Sequence, residues 1–322
     1  MKYMDSASPN EFLTDDPDWA QDFAPNGYRV KLGETITRKR YADTLEAIAT
    51  QGADAFYTGS IAEATIAALA KQNGTMTLED LKNYTIAIRE PSEITYRGHK
   101  ATSGSAPSSG AVALSTLKII DGYEGFDDPA AVNLSTHRLD EAMRFAYGQR
   151  TELGDPSFVE GLDEYQRRML SDEVTAEIRS KISDTRTQNV SYYNPDGLES
   201  LETPGTSHIV AADKSGMAIT LTTTINLLFG SQVLVPETGI IMNNEMNDFS
   251  IPDSDNAFGY IPSPANFVRP GKRPLSSISP TIVETPDGKL YYAIGSAVSS
   301  LGVTVYPLYR VSGARFFVYR GF

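Results

Sequence analysis

The sequence predicts an α+β fold, and three observations carry the prediction. Residues 31–190 are dominated by apolar side chains at helical spacing. Residues 204–250 read as a β-hairpin followed by an Asn- and acid-rich loop. A hydrophobic content of 40% over 322 residues is enough for a real core, in one large domain or two.

Taken in order, residues 1–30 are a polar, Asp- and Pro-rich lead expected to be irregular. A helix is expected from Thr44 to Ala53, and another from Ile61 to Gln72, where Ile61, Ala64, Thr65 and Ala68 line one face. Thr77-Leu78-Glu79-Asp80 resembles a capping box with Asp in place of the usual Glu. Ile94 to Thr102 alternates as a strand, and Gly110 to Ile120 returns to helix. Asp163 to Ile182 reads as one charged helix with a solvated face. Residues 183–205 form a polar linker, suited to carrying a cleavage point.

The hairpin can be built in detail. Met217 to Leu228 alternates Ile219, Leu221 and Thr223 with Thr220, Thr222, Thr224 and Asn226, the period-2 pattern of a strand. Asp213-Lys214-Ser215-Gly216 is a turn signal, with Gly216 suited to the left-handed position of a three-residue loop. That loop pairs Asp213 with Met217 and, counting outward, Thr206 with Thr224. Directly paired residues share a face, so Thr206, Thr224 and Asn226 would lie on one polar surface. A two-residue loop would shift the register and put Thr223 there instead.

A threonine at the head of a strand, directly after Pro204-Gly205, is the layout of a self-cleaving N-terminal-nucleophile hydrolase. Its hydroxyl is a weak nucleophile that needs a base. Cutting the Gly205–Thr206 bond would give Thr206 a free α-amine with a pKa of about 7.7–8.0, close to where a general base works best. Gly205 tolerates the backbone angles of an N-to-O acyl shift. Thr224 would orient the Thr206 hydroxyl. The plain alternative is a threonine-rich sheet edge, since threonine favours strands.

The segments TSHIVAADKSG, TTTINLLFG, ETGIIMNNEMNDFS and KRPLSSISPT, preceded by GADAFYTGSIAE, GTMTLEDLKNY, APSSGAVAL and ELGDPSF, resemble the γ-glutamyltransferase (glutathione hydrolase) family in order and spacing from about Phe12 to Gly295. The resemblance implies an αββα sandwich, incomplete at both ends. Residues 1–205 would be the C-terminal part of a large-subunit-like region, and 206–322 a small-subunit-like region whose tail diverges from about 297. It makes Gly205 and Thr206 the processing site, Thr206 the nucleophile and Thr224 its hydroxyl partner. Asn226, Glu245 and Asp248 would hold the α-amino end of a γ-glutamyl group, and Ser276 and Ser277 its α-carboxylate. That division is chemically coherent, because an ammonium is matched by carboxylates and an amide oxygen, and a carboxylate by hydroxyl donors. Phe258 matches a lid aromatic. The implied substrates are glutathione, other γ-glutamyl compounds and amino-acid or peptide acceptors, with no cofactor or metal. The large and small fragments of the same chain would stay together as partners after processing.

The departures from the family pattern favour a second reading, an inactive truncated homologue. Val298 and Ser299 stand where the family has an oxyanion-hole glycine pair; losing one such donor typically costs about 10²–10³ in rate. Residues 288–322 carry +4, leaving −17 for residues 1–287. The family's N-terminal arginine, which pairs with the substrate carboxylate, has no counterpart. Arg38, Arg40 and Arg97 are charged candidates outside the matched motif.

Composition excludes other classes. A net charge of −13 and a pI near 4.7 argue against nucleic acid and anionic membrane surfaces. No apolar run approaches the roughly 18 residues of a membrane span. The start MKYMDSASPNEF shows no apolar leader core. Without cysteine there are no disulfides, thiolate metal sites or Cys nucleophile. Sequons at Asn73, Asn83, Asn133 and Asn189, with the resemblance, point to the secretory route, to the exterior, cell surface or vacuole. Ser115-Thr116-Leu117-Lys118 fits an S-x-x-K serine acylase but lacks the companion elements. Three scattered histidines, His99, His137 and His208, do not suit a Ser-His-Asp triad. His208 would lie on the same strand face as Thr206.

Overall fold

The structure is a computed structural model that describes residues 4–5, 11–126, 128–198, 206–253 and 262–295. Two compact units emerge: Met1–Ile88 with Ile225–Asn244, and Arg89–Thr224 with Glu245–Phe322. Helices and sheets mix as the α+β expectation requires.

In the first unit, α1 (Phe12–Asp15) and α2 (Pro17–Phe23) are joined by Asp16, which accepts from Asp18 N–H at 2.9 Å, with Pro17 opening the helix. The lead expected to be irregular is therefore partly helical. Its Leu13, Trp19 and Phe23 close a small core with Leu234, and Phe12, Trp19 and Phe229 stack edge-on around it. Next come α3 (Lys39–Gln51), α4 (Asp54–Tyr57), α5 (Gly59–Lys71) and α6 (Leu78–Lys82). The first of these starts five residues before the sequence expectation. Its opening turn is gripped from outside: Arg40 donates to Pro236 O and Asp18 O, Arg38 to Gly239 O, and Thr44 to Thr238 O. Helix α5 buries Ile61, Ala62, Thr65 and Ala68 and ends as Asn73 turns left-handed (φ 61°) and Gly74 N–H reaches Leu69 O. The Thr77–Asp80 capping box forms as expected.

In the second unit, β1 (Ser92–Tyr96) and β2 (His99–Ser103) stand where the sequence suggested one strand. Arg97 and Gly98 both have positive φ, 50° and 77°, the requirement of a two-residue hairpin turn. Arginine is not a usual residue there, so the turn was hidden. Helix α7 (Gly110–Asp121) is buried on nearly every side and leads to α8 (Val132–Arg150). The charged segment expected as one helix is two, α9 (Leu162–Met169) and α10 (Asp172–Lys181), because Ser171 caps a new start by accepting from Val174 N–H at 3.2 Å. A short α11 (Val190–Tyr193) lies inside the expected linker.

The remaining strands are β3 (Thr206–Ala212), β4 (Ala218–Thr224), β5 (Thr281–Glu284) and β6 (Leu290–Ile294). One antiparallel sheet runs β1-β2-β5-β6, and β3-β4 form a separate ribbon. The main core joins β1, β2 and β5 to α7, α8 and α10 through Ile94, Leu114, Ile120, Phe145, Ile178 and Val283. On the ribbon, the face with Thr206, His208, Thr220, Thr222 and Thr224 is half-buried, whereas Ile209, Ile219 and Leu221 are exposed.

Candidate active site

Turn geometry sets the register of the ribbon. Gly216 is left-handed (φ 90°), and Asp213 N–H donates to Met217 O, closing the three-residue loop. Asp213 Oδ1 also accepts from Ser215 and Met217 N–H groups, and the serine hydroxyl and backbone bonds hold its carboxyl below the usual range. Seven pairs follow, from Ala212↔Ala218 to Thr206↔Thr224. The alternative with Thr223 opposite Thr206 is thereby excluded. Thr206 Oγ1 donates to Thr224 Oγ1 at 3.2 Å.

The strand stops at Thr224, four residues short of the expected end at Leu228. Asn226 has φ 73°, so strand alternation does not carry to it; it is almost wholly buried and belongs to the first unit. Gly205, Phe258, Val298 and Ser299 lie outside the described residues.

His208 stands two pairs along from Thr206, on the same face and between two hydroxyls: Thr222 Oγ1 at 2.9 Å from Nδ1 and Thr220 Oγ1 at 3.2 Å from Nε2. Thr220 also donates to Ile294 O at 3.2 Å, tying the ribbon to the end of β6. A methyl added at Gly295 would overlap the His208 ring, so the ring would have to shift to admit one. Burial holds the His208 pKa below its ordinary 6.5.

Glu245 and Asp248 share one short 3-10 turn, Glu245–Asp248, with Asp248 buried and Glu245 half-buried. Asn266 ties this turn to the serine segment. Its Nδ2 donates to Asp248 O at 2.6 Å, and its Oδ1 accepts from Leu275 N–H at 3.0 Å. Ser276 and Ser277 follow directly and are half-buried. Asp155 accepts from Arg273 N–H and from Arg89, each at 2.9 Å. Burial pushes the Asp155 carboxyl up, but the Arg273 and Ser157 N–H groups and the Arg89 charge outweigh it, leaving the pKa below 3.8.

The arginine that meets this segment is none of the three sequence candidates. Arg38 and Arg40 hold backbone carbonyls and lie beside Asp22, while Arg97 engages Asp121 and Tyr123 O. Arg150, at the end of α8, donates to Ser277 Oγ and to Ser109 Oγ, both at 3.1 Å. Arg150, Ser109, Asn266 and Asp155 were not singled out from sequence. Ser109 and Asp155 lie within the matching segments APSSGAVAL and ELGDPSF, and Arg150 stands just before the latter; no local pattern marks which of these residues meets the serine pair.

Residues 2–305 match the family described as Gamma-glutamyltranspeptidase. The chain belongs to that family. It is 60% identical over 299 residues to the glutathione hydrolase proenzyme of Arthroderma benhamiae, covering 93% of this chain and 51% of that protein. It is 52% identical over 317 residues to the glutathione hydrolase of Aspergillus flavus, covering 97% and 54%. The chain thus spans about half the length of the curated relatives it matches. Among solved structures, cephalosporin acylase from Bacillus halodurans superposes with a TM-score of 0.70 at 28% identity, over 89% of this chain and 49% of that one. Family membership and the fold class expected from sequence both hold. Among the described residues, no helix is long and apolar enough to cross a membrane.

Proposed function

We propose that the chain carries the processing and acyl-transfer centre of a γ-glutamyltransferase and glutathione hydrolase, with Thr206 as nucleophile. The observation that carries this reading is the 3.2 Å bond between Thr206 Oγ1 and Thr224 Oγ1 at the head of the ribbon. Thr206 Oγ attacks the Gly205 carbonyl, the peptide C–N bond breaks, and an ester links Gly205 to the threonine oxygen. Water hydrolyses that ester, releasing the Gly205 carboxylate and leaving Thr206 with a free α-amine.

In turnover the α-amine takes the Thr206 hydroxyl proton as the oxygen attacks the γ-glutamyl amide carbon. The amide nitrogen leaves with a proton. Water or an amino-acid or peptide amine then attacks the γ-glutamyl ester and restores the hydroxyl. Glu245 and Asp248 receive the substrate ammonium, and Ser276 and Ser277 its α-carboxylate. Residues 1–205 and 206–322 are the two processed fragments. Passage through the secretory route is supported by the exposure of all four sequon asparagines, Asn73, Asn83, Asn133 and Asn189.

Intact mass after incubation at neutral pH tests the proposal. Two fragments meeting at Gly205–Thr206 are expected, with none from Thr206→Ala. An uncut wild-type chain favours the inactive homologue, and cleavage of the alanine variant refutes the nucleophile.

A further inference from the structure

We propose that Arg150 is the positioning residue of the serine pair, orienting Ser276 and Ser277 so that their hydroxyl hydrogens are free to donate to an α-carboxylate. The inference rests on the carboxylate role given to that pair above. Arg150 is 2% exposed, so it acts through the serines and does not itself meet a ligand. A guanidinium has donors and no acceptor, and it stays charged. Ser277 Oγ must therefore accept from Nη2, which directs the serine's single hydrogen outward.

The neighbouring bonds extend the same polarity. Ser109 Oγ accepts from Arg150 Nε at 3.1 Å and passes its own hydrogen to Ser276 O at 2.6 Å. Ser276 Oγ accepts from Ile278 N–H at 3.3 Å, so its hydrogen too is available for donation. The backbone is pinned on both sides, Ser276 N–H to Pro107 O at 2.7 Å and Ser109 N–H to Ile278 O at 2.8 Å. Both hydroxyls are oriented by groups that can only donate, with a buried positive charge behind one of them. Such chains polarise their members and strengthen the outward donors. This arrangement, with a hydrogen to donate from each hydroxyl and a buried positive charge behind, favours an anion over an ammonium.

The test is calorimetric titration of the full 322-residue chain with L-glutamate and with 4-aminobutanoate, which lacks the α-carboxylate. Wild type is expected to prefer glutamate. Arg150→Met is expected to weaken glutamate about ten- to hundredfold, as for loss of a charge-supported hydrogen-bond array, and to leave 4-aminobutanoate unchanged. Adding Ser277→Ala to Arg150→Met should cost less than Ser277→Ala costs in the wild type, because Arg150 acts through that hydroxyl. Equal weakening of both ligands by Arg150→Met, or an unchanged preference, overturns the inference and leaves the carboxylate role of the serines standing. A wild-type chain without preference for glutamate overturns that role and this inference with it. Should Arg150→Met fail to melt cooperatively, Ser109→Ala decides. It keeps the arginine and cuts the relay to Ser276, so several-fold weaker glutamate binding is expected, and an unchanged preference refutes the proposal.

Discussion

Replacing Thr224 with valine removes one oxygen and keeps the β-branched shape that the strand favours. The bond lost is Thr206 Oγ1 to Thr224 Oγ1, which at 3.2 Å is longer than the usual hydroxyl–hydroxyl distance of about 2.7–2.8 Å. Both residues are half-buried, so the net worth of the bond is set near the middle of the ordinary range, about 1 kcal/mol. An orienting contact of that size corresponds to roughly a fivefold effect on rate. A proton-transferring base would instead be worth about 10²–10⁴-fold. The assay is the time course of cleavage at Gly205–Thr206 by intact mass, with thermal melting alongside. Processing slowed about five- to tenfold is expected, with a Tm change of about 3 °C or less. A rate within a factor of two of wild type would show that Thr224 does not orient the nucleophile. A loss of a thousandfold or more would refute the orienting role in the other direction, making Thr224 a participant in proton transfer.

Gly295→Ala forces a methyl into the His208 ring and should destabilise the protein by about 1–3 kcal/mol, read by denaturant unfolding. Gly148→Ala should cost as much or more, since its methyl would meet the backbone carbonyl of Tyr193. The depressed His208 pKa contributes stability that is fully present above 6.5 and is lost as pH falls through the lower folded value. His208→Gln should therefore flatten the stability–pH curve just below 6.5. The depressed Asp155 carboxyl behaves likewise lower down, its contribution present above 3.8 and lost as pH falls through the folded value. Asp155→Asn should lower stability at neutral pH and reduce the slope of acid unfolding.

What the sequence determined by itself is local. The Asp213–Gly216 turn, the alternation through Thr224 and the strand pairing rule narrowed the partner of Thr206 to Thr224 or Thr223, because hairpin register depends on loop length and side-chain period, and the three-residue loop in the structure chose Thr224. The Thr77–Asp80 cap and the buried stripe of α5 were legible for the same reason. Where a single residue broke a local rule, the reading failed. Arg97 accepted a left-handed turn, Ser171 restarted a helix inside a charged run, and Asn226 left the strand pattern at φ 73°.

Tertiary structure alone decided which polar groups meet across the chain. Ser109, Arg150 and Ser277 converge from positions 41 and 127 residues apart. Asn266 joins Asp248 to Leu275, and His208 sits against Gly295. Such meetings follow from how helices and sheets pack to bury apolar surface, an effect without direction. Hydrogen-bond polarity acts only after packing has brought the groups together, and then it decides that the serine pair presents hydrogens.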